Sequence, residues 1–340
     1  MKWRSRIFLV LCVLCMLCVF SVSSPFAQTK PVKLTFSHFW PVGHPVTENL
    51  AEWGKEVEKR THGSVTVVMF PGATLTPADK CYDGVVKGIS TLGSSALSYT
   101  RGRFPLMEVT DLPLGYKNAL AATRLSNAVY KKFHPKELDD VKVMFFHGTG
   151  PQLFHTKKPV RTLEDLKGMK IRTTGLGAKI VTALGATPVA MPMGDTYDAL
   201  SKGVVEGSTA PIASLEGFKW GEVVKYTTEN FSTAYTTIFF VVMNKKTWNS
   251  LTPDNQKIIE QVNEEWVDRI GKVQEKYDLG GREFALKLGN QIISLSKEED
   301  ERWVKKVKGT FDDYVKDMKA KNLPGEEVLK FSSDYLKKIQ

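Results

Sequence analysis

The sequence predicts an α/β protein of two lobes whose chain crosses between them, and three observations carry that expectation. Strand-like and helix-like segments alternate as far as residue 244. No repeat and no low-complexity linker divides the chain into two beads. From Thr252 the pattern turns nearly all helical, with "TPDNQKIIEQVNEEWVDRIGKVQEKY" as the longest element. Alternating β and α segments mark a parallel, helix-covered sheet.

"VKLTFSHFW" (32–40) alternates in its first half and reads as a strand. In the helix that follows, Val46, Leu50, Trp53 and Val57 form one apolar stripe, which Gly63 ends. "SVTVVMF" is β-branched and strand-like. "TPADKCYDGVVKG" reads as a capped helix with Thr76 as N-cap, Pro77 at the first position and Gly88 beyond the end. "NALAATRLSNAVYKKF" is helical and "VKVMFFH" is a buried type of strand. In "TLEDLKG", Thr162 caps a turn whose Glu164 and Asp165 suit a helix N-terminus. Then come "MKIRTT" as strand, "LGAKIVTALG" as helix, "TPVAMP" as strand, "TYDALSKGVVEG" as helix and "TIFFVVMN" as strand.

The N-terminus has the pattern of a cleaved secretory signal. "MKWRSR" is basic, the next 14 residues are apolar and too few for a comfortable membrane span, and "SVSSPFAQ" offers cleavage after Ala27. Three of the four cysteines belong to this leader, so Cys81 stands alone and no disulfide or cysteine metal site is expected. A buried thiol on a helix is the reading for Cys81. Without Lys2, Arg4 and Arg6 the net charge of +10 falls to +7. The cations lie in mixed-sign helical stretches such as "SKEEDERWVKKVK", the mark of solvated faces and not of a nucleic-acid stripe.

No motif supports an enzyme. A phosphate-binding Gly-Lys loop, a Gly-x-Ser-x-Gly elbow and His-Glu-x-x-His are all missing. The histidines have no metal spacing, so neither metal nor cofactor is expected. His38 and His147 read as hydrogen-bonded strand-end histidines, and His62 and His134 as surface residues. The candidates for ligand binding sit at strand ends, where open α/β sheets form their crevice. They are His38, Phe39 and Trp40, then His147 and Thr149, then Arg172, and the loop "STAPIASLEG". Arg172 raises a question of its own, because an arginine beside a sheet needs an anion and the next carboxylate along the chain is Asp195. The partner is either a distant acid of the same chain or a ligand.

Taken in order, the segments after the leader resemble the DctP-type solute-binding proteins of tripartite ATP-independent periplasmic (TRAP) transporters. The likeness runs through "KLTFSHFWPVGHPVTENLAEWGKEVEKRTHGSVTVVMFPGATL", "FPLMEVTDLPLGY", "TKKPVRTLEDLKGMKIRTTG", "YDALSKGVVEG" and "VVMNKKTWNSL". It implies a two-lobed periplasmic binding protein with hinge strands and a long helix spanning both lobes. Lobe I would comprise 28–150 with 238–275, and lobe II 151–237 with 276–340. The implied work is reversible capture of an organic acid and delivery to TRAP membrane permease subunits. The alternatives are a secreted α/β enzyme acting on an organic acid and a binding protein of an ATP-driven importer. The family arginine that grips a ligand carboxylate corresponds to Arg172, and a guanidinium fork matches a carboxylate bidentately.

Two departures shape the expected ligand. Pro151 stands where many members carry a second arginine, and Ala210 where many carry an asparagine. One cation then faces the ligand, which favours a monocarboxylate with an apolar or aromatic body. The resemblance places Tyr99 and Tyr235 near that ligand, and Phe39 and Trp40 at their strand end and Thr174 beside Arg172 are further candidates to line it. His38 or His147 would bond a ring nitrogen, hydroxyl or keto oxygen.

Overall fold

The structure is a computed structural model that describes residues 31–100 and 102–340. The expected leader lies outside the described residues. The first lobe opens with β1 (Val32–His38), α1 (Pro45–Arg60), β2 (Val65–Phe70), α2 (Cys81–Val86), β3 (Leu92–Ala96), α3 (Ala119–Phe133) and β4 (Val141–Gly148). The chain then crosses into β5 (Leu153–Thr156), α4 (Leu163–Leu166), β6 (Lys170–Thr173), α5 (Gly177–Ala183), β7 (Thr187–Ala190), α6 (Met193–Ser201), β8 (Gly207–Ala210), α7 (Ser214–Gly217) and β9 (Tyr226–Glu229). It returns through β10 (Ile238–Asn244), α8 (Lys245–Ser250) and α9 (Pro253–Lys287). It ends with β11 (Gln291–Ser294), α10 (Lys297–Val307), α11 (Gly309–Ala320) and α12 (Gly325–Ile339). Among the described residues no helix is long and apolar enough to cross a membrane.

Two sheets result, with strand orders β2-β1-β3-β10-β4 and β11-β9-β5-β8-β6-β7. They are mixed, not purely parallel as the alternation suggested. β10 runs antiparallel to β3 and β4, and β5 antiparallel to β8 and β9. The reason is the crossing itself. A strand that enters a lobe from the hinge runs opposite to strands delivered by helical crossovers. The two crossing segments are tied together. Thr149 N–H donates to Thr237 O (3.1 Å), Gln152 N–H to Tyr235 O (2.8 Å), and the Thr236 hydroxyl to Thr149 O (2.7 Å).

The 35-residue α9 lies along both lobes. Its first half is buried against the first lobe. Trp53 Nε1 donates to Asn263 Oδ1 (2.9 Å), and Trp266 Nε1 donates to Asn49 Oδ1 (3.0 Å). Its second half meets α7, where Gly281 packs directly on the Ile212 and Ala213 backbone.

Several local expectations change. Thr76 is not an N-cap; its hydroxyl is spent on Ser37 (2.7 Å), and a 3₁₀ turn over Ala78–Lys80 precedes a shorter α2. The helix read over "TYDALSKGVVEG" ends at Ser201, and its last glycine starts β8. The helical tail contains β11. The tail also does not stay on the second lobe, as the 276–340 division had it. Tyr314 of α11 donates to Leu106 O (3.0 Å), and Val328 and Leu336 of α12 share a core with Leu125 and Val129 of α3. The amphipathic α12 buries its stripe where the first lobe leaves α3 uncovered.

Candidate ligand-binding site

The ends of β1, β3, β4, β6 and β8 converge on the seam between the lobes, and the sequence candidates lie along it. Arg172, near the end of β6, is buried at 2 % exposure. It is the one lysine or arginine that is fully buried among the described residues. Its Nε donates to Met191 O (3.0 Å) and Nη1 to Thr209 O (3.4 Å), while its guanidinium lies 5.8 Å from the Trp220 ring centre. None of the ion pairs among the described residues includes it. The distant acid weighed from the sequence is therefore not its partner.

Hydroxyls hold the neighbouring backbone in place. Tyr235 OH bonds Thr173 Oγ1 (2.7 Å) and Thr209 Oγ1 (2.8 Å), and Thr209 donates to Thr173 (3.0 Å). This ties β6, β8 and the returning hinge segment together. Gly177 permits it, because a Cβ there would overlap the Tyr235 ring and hydroxyl. Burial raises the Tyr235 phenol above its ordinary pKa, and the Thr173 and Thr209 hydroxyls and the Arg172 charge oppose that rise.

The first lobe presents aromatic rings. Phe39 stacks on Trp40 at 4.2 Å and lies 5.6 Å from Tyr99, all between ring centres. Trp40 lies 4.9 Å from Phe239 and 5.5 Å from His147. Tyr99 joins the lobes: its hydroxyl accepts from Met193 N–H (3.0 Å) at the start of α6. Burial raises the Tyr99 phenol, with the Arg172 charge close enough to oppose the rise. Between Ser98 and Tyr99 on one side and Thr174, Gly175, Met191 and Pro192 on the other lies a cavity of about 200 Å³. That is small beside the roughly 300–1,000 Å³ of drug-sized clefts, so the seam as it stands suits a small guest.

The remaining candidates fall less simply. Ala210 is a buried strand residue of β8, not a loop residue, and its carbonyl bonds His155 Nε2 (3.0 Å). Pro151 lines a separate apolar groove of about 340 Å³ with Phe231, Asp278 and Leu279. His38 and His147 are buried at the strand ends. Neither ring nitrogen of His147 has a partner among the described residues, and the His38 ring has only a loose approach from the Trp40 backbone. The hydrogen-bonded reading therefore fails for His147 and is reduced to that one loose contact for His38. Burial pushes the pKa of His38 down to about 4 and of His147 to about 3, which keeps both imidazoles neutral. Cys81 is buried, with its thiol pushed up to about 12 by burial. No group of His, Cys, Asp or Glu suited to a metal occurs among the described residues.

Sequence reading missed Trp220, Met191, Thr173 and Phe239, and named Thr209 only as part of a loop. Trp220 and Met191 arrive through loops, and the threonines look like any strand residues. Phe239, the second residue of a strand read correctly, differs from its apolar neighbours only in facing the cleft.

Two sheets joined by paired crossing segments, a helix along both lobes and a buried cation at the seam define a two-lobed solute-binding protein. The chain belongs to the DctP family of TRAP periplasmic solute-binding proteins, the bacterial extracellular solute-binding protein family 7, which is matched over residues 36–317. It is 24% identical over 304 residues to the C4-dicarboxylate-binding periplasmic protein DctP of Vibrio cholerae, covering 85% of this chain and 88% of that one. A TRAP solute-binding protein of Rhodoferax ferrireducens, solved with copurified benzoate, is 30% identical with a TM-score of 0.85 over 90% of this chain and 98% of that one. A marine metagenome TRAP protein specific for aromatic acid ligands, solved with 3-hydroxybenzoate, is 28% identical with a TM-score of 0.86 over 91% and 99%.

Proposed function

We propose that this chain is exported to the periplasm behind its leader, captures an aromatic monocarboxylate between its lobes and delivers it, chemically unchanged, to TRAP membrane permease subunits. The observation that carries the reading is Arg172, a buried cation with no acid of its own, beside a wall of rings. A carboxylate supplies the missing anion in bidentate geometry. The rings supply stiff apolar area. A second carboxylate would find no second buried cation among the described residues and would carry its desolvation cost uncompensated. The benzoate and 3-hydroxybenzoate held by the two solved relatives support the same ligand class. The dicarboxylate named for the Vibrio cholerae relative belongs to a chain only 24% identical.

Native mass spectrometry of the purified protein should find an aromatic acid in the cleft and recover it unaltered. A thermal-shift panel should show stabilisation by aryl carboxylates and none by succinate or malate. Calorimetry on Arg172→Ala should show affinity for the best acid falling by about 2–5 kcal/mol, the usual cost of truncating one side of a buried hydrogen-bonded charge pair. Stabilisation by the dicarboxylates alone, or an Arg172→Ala affinity within threefold of the parent, would overturn the reading.

A further inference from the structure

Among the described residues the ring nitrogens of His147 are buried without a partner at the end of β4, and those of His38, at the end of β1, make no full hydrogen bond beyond a loose approach from the Trp40 backbone. Elsewhere the chain satisfies its buried imidazoles. His155 bonds Thr227 Oγ1 (2.9 Å) and Ala210 O (3.0 Å), and His44 Nδ1 accepts from Val46 N–H (3.2 Å). Leaving buried polar atoms bare is costly, and native structures do it where something else completes them. Nothing in the core explains these two.

Their placement points to the ligand. His147 is paired in register with Phe239 and stacks on its ring at 5.0 Å. His38 is paired with Ser94, whose hydroxyl is likewise buried and unbonded. Trp40 stands between the two imidazoles, 5.9 Å from His38 and 5.5 Å from His147. The same indole stacks on Phe39, which leads through Tyr99 to Arg172. The aromatic wall thus has a cation toward one end and neutral imidazoles without a full hydrogen bond toward the other.

We propose that His147 and His38 form the polar end of the ligand pocket and read a hydroxyl group on the ligand's ring, away from its carboxylate. The proposal deepens the aromatic monocarboxylate reading and rests on it. A neutral imidazole offers one donor and one acceptor. A hydroxyl both donates and accepts, so it fits either tautomer. A keto oxygen accepts only, and a second carboxylate needs a cation that neutral rings do not supply. Specificity follows because a ligand lacking the hydroxyl leaves the buried nitrogens bare.

The test is calorimetry on the mature chain with benzoate, phenylacetate and their monohydroxylated counterparts. At least one hydroxylated acid should bind tenfold or more tightly than its parent acid. In His147→Phe or His38→Phe that ratio should collapse to within twofold, whatever happens to the parent acid. In Arg172→Ala both acids should weaken together and the ratio should persist. Imidazole ¹⁵N shifts of the unaltered protein give a second readout that does not depend on a variant folding. They should move at His147 or His38 with the hydroxylated acid and stay put with the parent. Parent acids that bind as tightly as every hydroxylated one would overturn this inference and leave the proposed function standing. So would a ratio that survives in both histidine variants, or ¹⁵N shifts indifferent to the hydroxyl. Binding of no aromatic acid at all would overturn both.

Discussion

Arg172, buried, and Asp278, half-buried, show how differently two charges can be held. Arg172, at the seam, donates to the carbonyls of Met191 and Thr209 and pairs with no acid among the described residues, which is why we propose it as the receptor for the ligand's carboxylate. Asp278, on α9, takes one long hydrogen bond from Ala213 N–H (3.3 Å) and abuts Gly150, where a Cβ would overlap its carboxylate. Burial, with a smaller push from the Glu275 charge, raises its pKa from the ordinary carboxylate value to about 7. A carboxyl raised on folding favours the native state while protonated. Stability from this group therefore declines as pH climbs from about 4 to about 7 and levels off above. The buried histidines act in the opposite sense. His38, His147 and His155 have depressed values, so their contribution is complete above about 6.5, the ordinary value, and is lost as pH falls below it. Asp278→Asn keeps the acceptor for Ala213 and isolates the first effect, because the histidines cancel in the comparison. Urea melts at several pH values should show the variant gaining on the unaltered protein by about 2–4 kcal/mol between pH 4 and 8. A gap that stays flat across that range would mean that Asp278 ionises freely in the folded protein.

α9 is an element whose sequence looks ordinary and whose packing is not. Thr252 caps it, accepting from Asn255 N–H (3.3 Å), and Pro253 fills the first position where a missing N–H costs nothing. The two adjacent glycines, Gly280 and Gly281, weaken a helix in isolation. Gly281 is required all the same. A Cβ there would come within 2.5 Å of Ile212 O and 2.6 Å of Ala213 Cα, which are backbone atoms that cannot turn aside. At Gly280 the nearest atom is Glu216 Oε2 at 3.0 Å, the free end of a flexible side chain. Substitution should therefore split in sign. Gly281→Ala should lose about 1–3 kcal/mol through overpacking against α7. Gly280→Ala should be neutral or gain up to about 1 kcal/mol from helix propensity. Denaturant midpoints of the two variants measured side by side decide the matter, and equal effects would show that the α7–α9 contact yields easily.

At the scale of the whole molecule, the lobes touch beside the cleft through Asp111, Ser98 and Gly175. Gly175 has φ +53°, and a Cβ there would overlap Asp111 Oδ2 and lie 2.8 Å from Ser98 Cβ. Asp111 is buried at this seam, and burial, with the Glu108 charge adding to it, raises its pKa well above the usual carboxylate range. The contact follows directly after Arg172–Thr174, so the strand that holds the cation also meets the opposite lobe. A methyl at 175 is a wedge in this seam that leaves each lobe's core alone. Gly175→Ala should hold the lobes apart, with a larger radius of gyration than the unaltered protein at saturating ligand. Affinity should fall tenfold or more. Small-angle scattering and calorimetry on the same preparation check it. An unchanged bound-state radius would mean that the seam absorbs the methyl without opening.

The sequence by itself determined the order of the elements wherever apolar periodicity is strong. The α1 stripe, the β-branched runs of β2 and β10 and the length of α9 are properties of local side-chain spacing. It also exposed Arg172, because an arginine beside a sheet calls for an anion and the next carboxylate along the chain is Asp195. Tertiary structure alone decided the rest. β3 reads "LGSSA", with Val85 and Cys81 occupying the space over Gly93, and so small a set of residues carries no strand propensity that could reveal it. The four-residue strands β5, β8, β9 and β11 take their pairing from partners distant in sequence. The antiparallel sense of β5 and β10 comes from the hinge. The return of α11 and α12 to the first lobe depends on which surface α3 leaves bare. The same holds at the site. Whether a strand-end histidine finds a partner depends on neighbours up to a lobe away, and only the assembled seam leaves His147 without one and His38 with a single loose approach. Local spacing fixes what each segment can be. The burial of polar atoms, and so the chemistry left for a ligand, is settled where segments meet.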